Sequence, residues 1–486
     1  MASPKMKRNL TSRHISMIAI GGCIGTGIFM ASGAVVSTAG SYGTLLAYIV
    51  LGLVIYFLMS AVAELATFYP VSGSFVAYSQ RFIDPSLSFA IGWLYSFMWI
   101  LIASIDVITI AKILQFWEFF RNYSTFVLCL VILAVLYLIN LASVALFGEI
   151  EFWLTIIKVI TVIVFLIVGF SVLLGIGSDA KGLTTFVENG NTGAGILGIF
   201  GVLSTVAFSF GGAEAVALTA GESDNPAKTM PKAVNQVFWQ VLILYIGTMF
   251  IISAIVSATD SRLLDSSSVT ASPFTIVFEN VGLAAAAIVM NVVILTSVLS
   301  AGNSALYLSS RQLYSLSESG YAPKVLGRLN KNSSPMFALN VSVVCVIGVL
   351  IFEKINKNAY YTLLSMAGVV TIIIWIIAVV SHIRLRKAIA VQGADEKKLL
   401  PYRAKFGTAG SYISLIVFIA LFVLQVYADV SSLQKSSAAW VNVIADLLTP
   451  AIMLVLYFAY KSKVGAKVVA LKDMDISSYS IENENK

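Results

Sequence analysis

Residues 21–32 read GGCIGTGIFMAS. They follow closely on a basic cluster, Lys5, Lys7, Arg8 and Arg13, and lie inside an apolar run long enough to cross a bilayer. Four glycines and a threonine crowd the middle of that run. Gly21 and Gly25 form a GxxxG pair, whose plain use is close approach of two helices. Gly25-Thr26-Gly27 adds more than that use needs, because glycine holds a helix poorly. A break at membrane depth strands amides and carbonyls, and is tolerated only where they line a cavity or bind a ligand. The stretch therefore predicts a broken membrane helix.

The surrounding chain has the same character. Of 486 residues, 58% are hydrophobic and 11% charged, with a mean hydropathy of +0.91. A soluble domain carries about 25% charged residues. Apolar runs of bilayer length recur at 14–38, 42–66, 88–113, 124–147, 152–176, 195–219, 235–258, 274–306, 336–353, 358–383, 408–429 and 439–460. The expected fold is an all-α membrane protein with twelve transmembrane helices. Cys23, Cys129 and Cys345 fall within these runs without metal-ligand or disulfide spacing. The first run is too long for a signal peptide and lacks a small-residue cleavage site.

The net charge of +7 is sorted by side of the membrane, so it points to orientation and not to nucleic acid. With twelve spans, one set of loops holds only Arg121, Lys181, Arg262, Lys354, Lys357 and Lys435, whereas nearly all other Lys and Arg fall on the opposite side. The positive-inside rule then places both termini in the cytoplasm of a multi-pass cell-membrane protein.

The sixth run carries a second break, AFSFGGAEAVALTAGES (207–223), with Gly211-Gly212 at its centre. Glycine-interrupted spans at equivalent places in two halves are the sequence pointer to inverted repeats around a midplane site. A half-helix starting after Gly25 would offer the amides of Thr26, Gly27 and Ile28 to a carboxylate. One ending at Phe208–Phe210 would offer carbonyl oxygens to an ammonium group. Together they describe an α-amino acid.

Ionisable residues inside spans are functional candidates. Lys158, in LTIIKVITVIVF, could shed and regain a proton and so couple transport to a proton gradient without a sodium site; snorkelling to the interface is its plain alternative. Glu214 complements a helix N-terminus or faces the substrate path. Asp106, in LIASIDVITIAKIL, could pair with Lys112, although six residues is a poor spacing for that, or with a cationic side chain on the substrate. Glu64, Asn291, Asn303, Ser304 and Trp375 could line the route. Phe208 or Phe210 could close over the substrate as a lid.

The motifs RHISMIAIGGCIGTGIF (13–29), AELATFYPVSGSF (63–75), FSFGGAEA (208–215), AGESDNPAKTMPKAVNQVFWQ (220–240) and NVVILTSVLSAGNSALYLSSRQLYSLSESGYAPK (291–324) together resemble the amino acid–polyamine–organocation superfamily. Within it they resemble the bacterial amino acid permeases, above all the lysine-specific type. The likeness runs from about residue 10 to residue 460. It implies a 5+5 inverted repeat of the leucine-transporter kind, with a segment 1–13, repeats at 14–176 and 195–383 and two further helices at 408–460; the tail at 461–486 is expected to be disordered from its polar composition. It also implies proton-coupled uptake, with the substrate backbone held at Ile24, Gly25, Thr26 and Gly27 and at Phe208, Ser209, Phe210, Gly211 and Gly212. Lys158 matches the fifth-span lysine that stands where sodium sits in sodium-coupled relatives, Glu214 the sixth-span glutamate, and Asp106 an acidic position of the lysine type. One departure is Gly211, where the lysine type is expected to have glutamine and permeases for aromatic and other neutral amino acids have glycine.

The expectation is thus a symporter importing lysine or other basic L-amino acids, with proton, amino acid and lipid as its partners and no cofactor. A permease for neutral or aromatic amino acids and an amino acid exchanger are the rivals. Catalysis is not expected: His14 and His382 both lie at span ends, with no nucleophile–base or metal arrangement.

Overall fold

The computed structural model describes residues 24–71, 74–141, 144–176, 183–190, 195–214, 226–264, 272–280, 284–331, 334–356, 359–433 and 440–477. Within these the protein is all helix. The main elements are α1 (Gly27–Phe68), α2 (Pro85–Leu114), α3 (Thr125–Leu141), α4 (Val144–Leu173), α5 (Leu203–Phe210), α6 (Pro226–Ile255), α7 (Ala284–Glu318), α8 (Met336–Ile355), α9 (Ala359–Val391), α10 (Gly407–Ser432) and α11 (Trp440–Val464). Among the described residues, nine helices are long and apolar enough to cross a membrane, and Thr125–Leu141 and Gly195–Phe210 are shorter apolar helices.

The longest, α1, turns at Gly40, whose φ of 68° is open to glycine and strained for most residues. That turn falls between the two predicted spans 14–38 and 42–66. At the start of α2, Pro85 occupies the first turn and the Asp84 side chain accepts the Ser86 N–H at 2.7 Å, so one orphan donor of the helix end is satisfied. Within spans, hydroxyls have no water to use and donate to the carbonyl one turn back. Ser104 bonds Ile100 and Thr109 bonds Ile105.

Helices α2 and α9 form the centre. Their apolar windows are 78% and 83% buried, against 28% for α10 and 22% for α11, which turn apolar faces outward. Leu138, Val344, Ile416 and Val455 are among the exposed side chains, as a lipid-facing surface requires. Helix α7 packs along α2 and α4, and α5 packs between α1 and α9.

Two expectations need correction. The predicted span 274–306 does not start at residue 274: Pro273–Asn280 is a separate short helix and the long helix begins at Ala284. The short helix packs onto α1, with Phe274 4.7 Å from the Phe29 ring and Ser272 donating to the Phe29 carbonyl. The tail expected to be disordered is docked as far as Ser477. The Val469 N–H bonds the Ile83 carbonyl, Arg81 pairs with Asp475, and Met474 is buried. Its polar composition hid several apolar anchors, Met474 with Val469, Leu471 and Ile476, and main-chain acceptors for arginine.

Candidate functional site

The site forms where the start of α1 meets the end of α5. Gly27 makes the meeting possible: a Cβ there would stand 2.5 Å from Ser209 Cα. Gly25 does the same towards α7, where a Cβ would lie 2.9 Å from Ala301 Cβ. The glycines therefore serve close approach as well as an irregular backbone. Ile24 and Gly25 are non-helical, and Gly27–Ala31 is a π-helical turn, a widening often found at functional sites. Residues 21–23 lie outside the described residues.

Helix α5 stops at Phe210. Gly211 turns extended (ψ 139°) and Gly212 takes φ 100°. The three carbonyls expected to be bare each accept one bond: Phe208 from the Gly211 N–H, Ser209 from the Tyr245 hydroxyl at 2.8 Å, and Phe210 from the Ala213 N–H. Each carbonyl keeps a second lone pair. Tyr48 also donates to Ser209 Oγ at 3.2 Å. Phe210 is stacked on Tyr245, ring centroids 4.6 Å apart, and tilted against Tyr48. Of the two proposed lids, Phe210 is thus packed into an aromatic wall.

Asp106 on α2 reaches the same place. Thr26 Oγ1 donates to Asp106 Oδ1 at 2.6 Å, and Asp106 Oδ2 is buried with no hydrogen-bond partner. Gly302 on α7 leaves the room, since a Cβ there would be 3.1 Å from Asp106 Cβ. Next to it, Asn303 Nδ2 and Ser304 Oγ are likewise buried and unpartnered, while Asn303 Oδ1 accepts from Asn140. Left without a partner, such atoms cost about 1–3 kcal/mol each.

Glu214 sits just beyond the α5 break. Its Oε2 accepts the Gly212 N–H and the Trp375 indole N–H, both at 3.2 Å, and its Oε1 is buried and unpartnered. Lys158 on α4 is fully buried, pairs with Glu151 at 3.8 Å and lies close enough to Asp106 for its charge to act there. The structure so joins Thr26, Gly27, Ser209 and Asp106 in direct contact, ties Glu214 to Trp375 on α9 and pairs Lys158 with Glu151. Lys112 faces the Tyr360 ring instead of Asp106.

Sequence reasoning missed Tyr48, Tyr245, Glu151 and Ser300. Glu151 had a visible signal, a spacing of seven from Lys158 that puts both on one helix face. The tyrosines carried none, because only packing brings them to Ser209. Among the described residues, no group of His, Cys, Asp and Glu could hold a metal ion.

Comparison with known proteins identifies the family. The amino acid permease family matches residues 14–472. The lysine-specific permease of Lactococcus lactis subsp. cremoris (strain MG1363) is 40% identical over 98% of this chain and 94% of its own length. The histidine permease of the same strain is 41% identical over 97% of this chain and 98% of its own. The lysine-specific permease of Escherichia coli (strain K12) is 39% identical over 97% and 96%. With a matching profile over nearly the whole chain and an all-helical multi-pass membrane structure, the protein belongs to the amino acid permeases of the amino acid–polyamine–organocation superfamily.

Proposed function

We propose that this protein is a proton-coupled symporter importing basic L-amino acids, lysine or histidine first, by alternating access around the Ile24–Gly27 and Phe208–Gly212 segments. The observation that carries the reading is Asp106: a buried carboxylate with one oxygen held by Thr26 and the other unpartnered, beside the segment that would hold the substrate's head group. An ammonium or imidazolium side chain is the guest that such an oxygen favours. The names of the lysine and histidine relatives support the same class. Each positive charge moved inward gains about 2.3 kcal/mol per 100 mV, so substrate charge and proton charge both draw on the membrane potential.

In this reading the chain has twelve spans, counting α1 as two at its Gly40 turn, in two inverted five-helix repeats (14–176 and 195–383) plus α10 and α11. Both termini are cytoplasmic. Spans one and six are broken; Lys158 serves the proton and Glu214 the substrate path. Transport of neutral amino acids is the second reading, favoured by Gly211 at the end of α5.

Proteoliposomes under an inward pH gradient, a sodium gradient or neither decide the matter when labelled lysine uptake is challenged with each common amino acid. The expected result is proton-stimulated uptake competed by lysine, histidine or arginine. Stimulation by sodium alone would overturn the role of Lys158. Competition by phenylalanine or serine but not by lysine would select the neutral reading.

A further inference from the structure

Lys158 does not sit alone in the membrane. Glu151 lies two turns earlier on α4, both side chains have zero exposure, and Nζ is 3.8 Å from Oε1. A second element fastens the carboxylate: Ser300 on α7 donates its hydroxyl to the same Oε1 at 2.6 Å. The remaining oxygen, Oε2, is buried and has no hydrogen-bond partner. An isolated charge at this depth would be costly, and the opposite charge on the same helix face offsets it. Asp106 on α2 feels the charge of Lys158, and Thr155 is buried one turn from each along α4. Glu149 is only half-buried and lies off the shared face.

We propose that the Glu151–Lys158 pair, and not Lys158 by itself, takes up the coupled proton, with Glu151 Oε2 the receiving atom and Ser300 the positioning residue that holds the carboxylate in place. The inference rests on the proton-coupled reading above and deepens it. Empty, the pair is an ammonium facing a carboxylate and has no net charge. Loading forms an O–H bond on Oε2 with a proton from the outer medium and leaves the pair at one positive charge. Unloading breaks that bond towards the cytoplasm. Lys158 keeps its own proton throughout and supplies the fixed positive charge beside the carboxylate. Oε1 is already occupied by Ser300, which leaves Oε2 as the atom open to the incoming proton.

The test uses the whole protein in proteoliposomes with a labelled mixture of the common amino acids, so that it does not depend on side-chain specificity. Gradient-driven accumulation is measured against equilibrium exchange, which needs no gradient. Glu151→Gln keeps the size of the side chain and an acceptor for Ser300 but cannot take the proton. Accumulation should fall by about tenfold or more relative to exchange, and Glu151→Asp should restore part of it. Accumulation by Glu151→Gln equal to that of the parent, with the same pH profile, would overturn the inference. Lys158→Met separates the two layers. If it too accumulates normally, the proton-coupled reading of α4 fails; if it is uncoupled while Glu151→Gln is not, only the pair fails. Should Glu151→Gln not fold, Ser300→Ala decides, by moving the pH of half-maximal accumulation by about half a unit or more or by leaving it in place, which sinks the idea.

Discussion

At Gly27 a single hydrogen atom is all the contact allows, since Ser209 backbone stands where a methyl group would go. Backbone cannot swing aside as a side-chain tip can, so Gly27→Ala should cost about 1–3 kcal/mol and abolish uptake. Gly348→Ala is the matched control, because a Cβ there meets nothing within 4 Å. Thermal unfolding of the detergent-purified variants checks both. Asp106→Asn keeps an acceptor for the Thr26 hydroxyl but removes the charge. If Asp106 reads a cationic side chain, lysine uptake should fall by about tenfold or more, the weight of one charge-assisted hydrogen bond, while uptake of a neutral amino acid changes far less. Equal loss for both substrates would place Asp106 in the architecture of the site and not in its specificity. These residues were legible to different degrees. Glycine clusters and intramembrane charges stand out in any sequence, whereas the tyrosines on Ser209 look like any other aromatic in a span.

Among the elements, α2 shows how a central span is anchored. Its cap, Asp84, is bonded by the Ser86 N–H at 2.7 Å and, from α11, by the Tyr457 hydroxyl at 3.1 Å and Lys461 at 3.3 Å. Burial pushes this carboxyl up, but the bonds from Ser86, Lys461 and Tyr457 outweigh it and hold the group below the usual carboxylate range. A carboxyl that ionises more readily folded than unfolded contributes fully above about pH 4 and loses that contribution as pH falls through its folded value. Asp84→Ala should therefore lower stability by about 0.5–2 kcal/mol at neutral pH, and the gap from the parent should close in acid. A melting-temperature series against pH measures it; a gap that stays constant to the acid end of the series would exclude the charged cap as its cause. The existence of the apolar elements was plain from hydropathy. Their limits were not: Pro273 opens a separate helix within a continuous apolar stretch, and hydropathy does not register such a boundary.

The whole molecule is tied together away from the substrate site by a buried ionic cluster. Glu64 on α1 accepts from His382 and twice from Arg386, both on α9, at 2.6–2.9 Å, and its second oxygen also takes the Ala404 N–H. Arg386 bonds Glu396 as well, so the 395–405 connection is stitched to the same point. Removing one partner of such a cluster leaves a charge uncompensated, and Glu64→Gln should cost about 3–5 kcal/mol, read as a fall in melting temperature with loss of folded yield. The docked tail acts on neighbouring elements: Gln392 bonds the Leu471 and Met474 carbonyls, and Arg384 bridges Phe82 and Val469. A chain ending at residue 464 should unfold at lower temperature than the full chain; identical melting would mean that the docked segment contributes nothing.

Sequence alone determined the solvent, the helical architecture and the family, because each rests on composition and spacing that a linear chain displays directly: long apolar runs, glycines at set intervals, charges where lipid forbids them. Tertiary structure decided which of those charges meet. Asp106 finds Thr26, Glu151 finds both Lys158 and Ser300, and Glu214 finds Trp375, pairings that mostly join helices far apart in the chain. In a medium without water a buried polar atom must be satisfied by whatever protein group packs beside it, and helix packing, not local sequence, sets that neighbour.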